Sequence, residues 1–142
     1  MSSSVDSKEN IQKFVQNRGD IRISLKMLEE GIISNINIRD SSWLDGTALM
    51  YQAAFGTVES MESLLAHKPR ALINHQGRYG NTALYYAVDR RDDPAKVRLL
   101  LDYGADKTIR DKWGRTALDV ARSLKRTECI KVLESYTPKP RG

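Results

Sequence analysis

The chain carries few residues whose types could support acid–base or nucleophilic chemistry. Its 142 residues include two histidines, His67 and His75, and a single cysteine, Cys129. The spacing of the histidines matches no common zinc-binding pattern, and no residue presents an obvious base to activate the Cys129 thiol. The glycines fall one per predicted turn or helix end rather than in a phosphate-binding loop. We therefore expect no catalytic residue, no metal site and no cofactor.

Aromatic and basic residues point instead to binding. A large apolar or aromatic residue lies three positions before each of three threonines that are 35 and 34 residues apart; these residues are Leu44, Tyr79 and Trp113, with Trp43 beside the first. A contiguous exposed row of such side chains would form a partner surface, and Trp, Tyr and Arg are enriched among the residues that dominate interfaces. The alternative is that Trp43 and Trp113 fold back on their own loops and on neighbouring Arg side chains.

The three threonines belong to a repeated motif. Residues 46–49, 80–84 and 114–118 each contain Thr-Ala-Leu, with the threonines at positions 47, 82 and 116. Self-similarity at this period is typical of stacked repeat proteins. Such a protein buries its core between neighbouring units and leaves one long face free for binding.

The unit at 79–112 has the clearest local pattern. Thr82 is a good cap for a first helix, while Asp93 and Pro94 favour the start of a second. The second helix carries an apolar stripe of Val97, Leu100 and Leu101, and Gly104 follows as a left-handed stop. The first unit lacks the Thr-Ala-Leu motif, and there Asp6 with Glu9 resembles a capping box.

Residues 103–118 resemble an ankyrin repeat, with a Gly-Ala-Asp ending, a hairpin finger and a threonine that starts the next helix. The resemblance implies an all-α solenoid of stacked helix–turn–helix units with hairpin-like finger loops. We expect one domain over 8–136, with repeats at about 8–43, 44–78, 79–112 and 113–136, and disordered ends at 1–7 and 137–142. The family's histidine is replaced by Met50, Tyr85 and Asp119, so we expect a looser array than a consensus one.

The resemblance also implies binding through the finger tips and the exposed ends of the first helices. Phe55, beside Gly56 at a predicted helix end, is the best candidate of the second kind. The predicted partner-binding residues are Trp43, Leu44, Phe55, Arg78, Tyr79, Arg90, Lys112, Trp113 and Arg115. The predicted function is a non-catalytic protein–protein interaction module, acting as an adaptor, inhibitor, assembly chaperone or regulatory subunit.

Charge bears on the kind of partner. The net charge is +5, but residues 1–67 carry 6 basic and 9 acidic side chains, which gives −3, whereas residues 68–142 carry 17 and 9, which gives +8. A protein partner with an acidic and apolar surface fits this distribution. Nucleic-acid or nucleotide binding through the basic half and the finger aromatics is the alternative, which the acidic N-terminal half disfavours.

The remaining expectations concern the setting of the protein. No apolar run approaches the length of a membrane helix, and the first residues do not resemble a signal peptide. A lone cysteine excludes an internal disulfide. We expect a monomer that does not bind membranes and lies in the cytoplasm, the nucleus or both.

Overall fold

Helix–turn–helix pairs follow one another along the computed structural model, which describes residues 6–17, 20–66 and 73–137. The eight helices are α1 (Lys8–Gln16), α2 (Ile21–Glu29), α3 (Ala48–Phe55), α4 (Val58–Leu65), α5 (Ala83–Asp89), α6 (Pro94–Asp102), α7 (Ala117–Ser123) and α8 (Thr127–Ser135). The described residues contain no β-strand, only an isolated bridge between Asp40 and Gly46. None of these helices is long and apolar enough to cross a membrane. The predicted disordered ends lie almost entirely outside the described residues.

The repeated threonines start the first helix of three pairs, as predicted. The hydroxyl oxygens of Thr47, Thr82 and Thr116 each accept a hydrogen bond from the backbone N–H three residues further on. This bond satisfies a donor that the first turn of a helix leaves without a partner. The second helix of the third unit begins as predicted too, with Asp93 as its cap and Pro94 at its first position.

The predicted capping box at the first helix is wrong. Ser7, not Asp6, caps α1 by accepting the backbone N–H of Asn10. Asp6 adopts a positive φ of 61°, and its carboxylate accepts a hydrogen bond from the backbone N–H of Ser34 at 2.9 Å. The short Asp6 side chain thus ties the start of the chain to the loop after α2, a long-range contact that sequence spacing alone does not reveal.

The helices stack in two rows. The first helices α3, α5 and α7 pack in that order, and the second helices α4, α6 and α8 pack behind them. One continuous apolar core runs through all four pairs. Its largest fully buried members include Phe14, Met50, Met61, Leu64, Leu84, Leu100 and Leu133. Each pair buries its apolar side against its neighbours, so the all-α solenoid that the ankyrin resemblance implies is confirmed.

The finger loops are joined by backbone hydrogen bonds. The N–H of Arg78 donates to the carbonyl of Leu44, and the N–H of Lys112 donates to the carbonyl of Tyr79, both at 2.8 Å. A Cβ atom at Gly80, whose φ is +79°, would lie 2.9 Å from the Lys112 nitrogen, so this position requires glycine. These bonds place equivalent residues of successive fingers next to each other.

Cations join the units at the opposite end of the first helices. Lys96 Nζ donates to the carbonyl of Ala53 at 3.0 Å, where α3 ends. Arg126 donates to the carbonyls of Val88 and Asp89, at the end of α5, over 2.9 and 2.7 Å. Helix C-termini favour cations because their carbonyls have no partner within the helix. The units therefore have polar links despite lacking the family's histidine.

A carboxylate completes the last junction. Asp92, in the turn after α5, accepts the backbone N–H groups of Glu128 and Cys129 over 3.0 and 2.9 Å, and so caps α8 from the preceding unit. Burial raises the pKa of Asp92, but these hydrogen bonds, together with the Cys129 thiol and the Arg126 cation, outweigh it and hold the pKa below its usual value. The charged carboxylate is therefore the form that stabilises the junction.

Candidate functional site

Aromatic rings form a continuous cluster over the first helices. The Trp43 ring centroid lies 5.2 Å from that of Tyr51, 6.1 Å from Phe55 and 5.1 Å from Tyr86. Tyr51 and Phe55 are themselves 4.9 Å apart. The first two Trp43 contacts are edge-to-face, the geometry that aromatic pairs favour. We call Trp43, Tyr51, Phe55, Tyr86 and Arg90 the aromatic cluster.

The first finger loop reverses direction and so places Trp43 in this cluster. Leu44 and Asp45 adopt positive φ angles of 54° and 56°, and the Gly46 N–H donates to the Trp43 carbonyl at 2.8 Å. A Cβ atom at Gly46 would lie 2.3 Å from the Trp43 ring, so only glycine fits beneath the indole. Trp43 is consequently half-buried against Tyr51 and Phe55 of α3 and Tyr86 of α5.

Phe55 is the exposed member of the cluster. Its side chain is 48% exposed at the end of α3, and the Arg90 guanidinium carbon lies 4.6 Å from its ring centroid. This is a cation–π contact across two units. Phe55 and Arg90 are 35 residues apart and occupy equivalent positions, so the solenoid itself brings them together.

Sequence reasoning missed Tyr51 and Tyr86 as members of the site. Both had the appearance of first-helix core residues, although they too are 35 residues apart. Applying the repeat period to every aromatic residue, and not to the threonines alone, would have paired them. Tyr86 is buried and that burial raises its pKa. Tyr85 beside it has a pKa raised to about 12 by burial and by Asp89, so both phenols stay neutral at physiological pH.

A second group of rings lies on the later fingers. Tyr79 and Trp113 stack with their centroids 5.8 Å apart, and the Arg115 guanidinium lies 5.3 Å from the Trp113 ring. Lys112 Nζ lies 5.9 Å from the Tyr79 ring, and Trp113 is 61% exposed. We call Arg78, Tyr79, Lys112, Trp113 and Arg115 the finger patch.

Carboxylates orient two cations of the finger patch. Arg115 pairs with Asp111 at 2.9 Å, and Arg78 pairs with Asp45 at 3.3 Å. Burial raises the pKa of Asp111, but hydrogen bonds from the N–H groups of Arg115 and Trp113 outweigh it and lower that pKa. The predicted binding residues thus divide between two surfaces, and Leu44 lies half-buried between them.

The residues considered for chemistry lie apart from both surfaces. Cys129 is fully buried in α8, and burial raises its pKa to about 12. His75 lies beside Arg39, and burial together with that cation lowers its pKa. His67 is outside the described residues. Within 6–17, 20–66 and 73–137, no three His, Cys, Asp or Glu side chains gather in a metal-binding group.

Comparison with known proteins agrees with this architecture. The family model for ankyrin repeats (many copies) matches residues 64–121. A crystal structure of the ankyrin repeat protein EF0377 superimposes with a TM-score of 0.76 at 30% identity, covering 94% of this chain and 66% of that one. The human NF-kappa-B inhibitor epsilon is 32% identical over 97 residues. The chain belongs to the ankyrin repeat family.

The curated relatives are much longer proteins. Alpha-latrotoxin-Lg1a of Latrodectus geometricus is 31% identical over 75% of this chain, which corresponds to 8% of the toxin. The human NAD-capped RNA hydrolase NUDT12 is 41% identical over 49% of this chain and 14% of the hydrolase. The match to NF-kappa-B inhibitor epsilon covers 68% of this chain and 19% of that protein. These alignments therefore relate repeat segments and not whole proteins.

Proposed function

We propose that the chain is a non-catalytic protein–protein interaction module that binds its partner over the aromatic cluster and the finger patch. The role is that of an adaptor, inhibitor, assembly chaperone or regulatory subunit, in the cytoplasm or the nucleus. The observation that carries the proposal is Phe55, a large apolar ring that is 48% exposed and packs beside Trp43 and Tyr51 in a cluster built from successive units.

The two surfaces have the composition of a binding site. Exposed aromatic rings bordered by Arg are the residues that dominate interfaces. Arg90 lies on the Phe55 ring and Arg115 on the Trp113 ring, so each guanidinium is already ordered before a partner arrives. Preordered side chains lose less conformational freedom on binding, which favours affinity.

The relatives support an interaction role. Ankyrin repeats occur in proteins as different as a toxin, a hydrolase and an inhibitor, which is the behaviour expected of a module that recognises other proteins. The match to the inhibitor covers 68% of this chain and makes inhibition one of the roles to test.

The test uses single substitutions and a matched control. The tagged chain would capture proteins from a native lysate of its source, and the captured protein would be purified for affinity measurement. Phe55→Ala and Trp113→Ala should each weaken binding by about fivefold or more. Tyr103→Ala is the control, because Tyr103 is also an exposed aromatic (39%) but lies outside both surfaces, after α6.

Two outcomes would contradict the proposal. If the partner binds the wild type, Phe55→Ala and Trp113→Ala with equal affinity, neither surface belongs to the interface. A steep loss of affinity with salt, with nucleic acid as the captured species, would favour the nucleic-acid alternative, because phosphate contacts release counterions.

A further inference from the structure

A cleft next to the aromatic cluster contains a buried ammonium group that forms no ion pair with any carboxylate of the described residues. The cleft has a volume of about 450 Å³ and lies between the second and third units, with Phe55, Tyr86 and Arg90 of the cluster in its wall. Lys96 also lines it and is only 7% exposed. The cleft therefore continues the proposed binding surface into the junction of two units.

Lys96 uses one hydrogen bond where three are possible. Its Nζ donates to the carbonyl of Ala53 at 3.0 Å, and no carboxylate of the described residues lies within ion-pair distance of it. An ammonium group has three donors, and a buried charge without a counter-charge is costly. Burial lowers the pKa of Lys96, as expected for an incompletely compensated cation.

The next junction has a cation at the corresponding place. There Arg126 donates to two carbonyls, of Val88 and Asp89, and the Asp92 carboxylate lies at the same turn. Ala53 and Val88 are equivalent residues, so Lys96 and Arg126 serve the same position of successive units. Arg126 thus contacts two carbonyls at its junction, whereas Lys96 contacts one and lines an open cleft.

The charges around the cleft match an acidic ligand. Arg90 and Arg91 also line it, and neither forms an ion pair with a described carboxylate. Against these three cations stand Glu59 and Asp93, and the Asp93 side chain already accepts the Lys96 backbone N–H as a helix cap. An added carboxylate would balance the excess and gain charge-assisted hydrogen bonds.

We propose that this cleft receives an Asp or Glu side chain of the protein partner, whose carboxylate accepts a hydrogen bond from Lys96 Nζ while neighbouring apolar groups of the partner cover Phe55. The inference rests on the proposed interaction function and specifies the chemistry of the partner. Lys96 binds the carboxylate, and Arg90 and Arg91 add positive charge at the rim of the cleft.

Sodium acetate is the probe for the site itself. The backbone amide signals of the cleft residues Gly56, Thr57 and Ala87 would be followed by NMR together with those of Lys96 during titration with acetate, against sodium chloride at equal ionic strength. We expect saturable acetate shifts that disappear in Lys96→Met. Lys107→Met is the matched control, since Lys107 Nζ also donates to a backbone carbonyl, that of Leu133, at 2.9 Å but does not line the cleft. Arg91→Gln, at an exposed residue, provides a second variant that should weaken acetate binding severalfold with no demand on the core.

Several results would overturn the carboxylate site. The first is a set of NMR shifts that follows ionic strength alone, and the second is acetate binding that survives Lys96→Met. The third is inorganic phosphate binding that is more than about tenfold tighter than acetate binding, because this would assign the cleft to a phosphate group. The acetate titration needs no partner, so its failure is separate from failure of the Phe55→Ala test.

The captured partner supplies the second arm of the experiment. Each Asp and Glu in its binding segment would be changed to the amide and measured against wild type and Lys96→Met. Changing one of these acidic residues should weaken the affinity of the partner for the wild type by about tenfold or more, and its affinity for Lys96→Met by less than about twofold, because the two side chains are coupled. Additive effects at every acidic residue would refute the contact with Lys96.

Discussion

Leu100→Ala tests the stacked core at its centre. Leu100 is fully buried in α6, and α6 packs against α4, α5 and α8. The substitution removes three carbon atoms, which at about 0.8 kcal/mol per buried CH₂ is a transfer cost of about 2.4 kcal/mol. The cavity left behind adds to this cost, so the total should fall within the ~2–5 kcal/mol typical of buried Leu→Ala changes.

The assay is urea unfolding followed by far-ultraviolet circular dichroism at 25 °C. Small domains have only ~5–15 kcal/mol of stability, so this loss should lower the unfolding midpoint markedly or separate the transition into two. Leu124→Ala is the control, because Leu124 is 39% exposed after α7 and should change stability by less than about 0.5 kcal/mol. A loss below about 1 kcal/mol for Leu100→Ala, or equal losses for both variants, would refute the packing described here.

Two further predictions concern the junctions and the buried thiol. Asp92→Asn should lower the free energy of unfolding by about 1 kcal/mol at pH 7, because it weakens the cap on α8. Since the folded-state pKa of Asp92 is lowered, the wild type should be the more stable protein above pH ~4 and should lose this advantage as the pH falls through the lowered pKa. A stability difference that does not depend on pH would contradict the charged cap. Cys129, buried and with its pKa raised to about 12, should react with iodoacetamide at pH 8 only as fast as α8 opens, and thus faster in Leu100→Ala; rapid alkylation of the native wild type would contradict its burial.

The sequence predicted the architecture well because its signals are local. A threonine cap and a Pro at the first helical position each act within one unit, and the 34–35-residue period shows that the units repeat. The structure confirmed these elements and corrected one: Ser7 replaces Asp6 as the cap of α1. That error arose because Asp6 makes its hydrogen bonds with Ser34, 28 residues away.

The site was less predictable because it depends on contacts between units. The position of Trp43 follows from two consecutive positive φ angles, at Leu44 and Asp45, which neither residue type demands. The burial of Lys96 could not be read from its helix either, since lysine is ordinarily exposed. What places it inside is the carbonyl of Ala53 in the preceding unit.

Photo-crosslinking measures whether a partner protein docks on the aromatic cluster, the claim on which the proposed function depends. A photoreactive benzoylphenylalanine would replace Phe55 in one variant and Tyr103 in another, and each would be irradiated with the captured partner. We predict a covalent adduct from position 55 and none from position 103. An adduct from position 103 alone would contradict the claim.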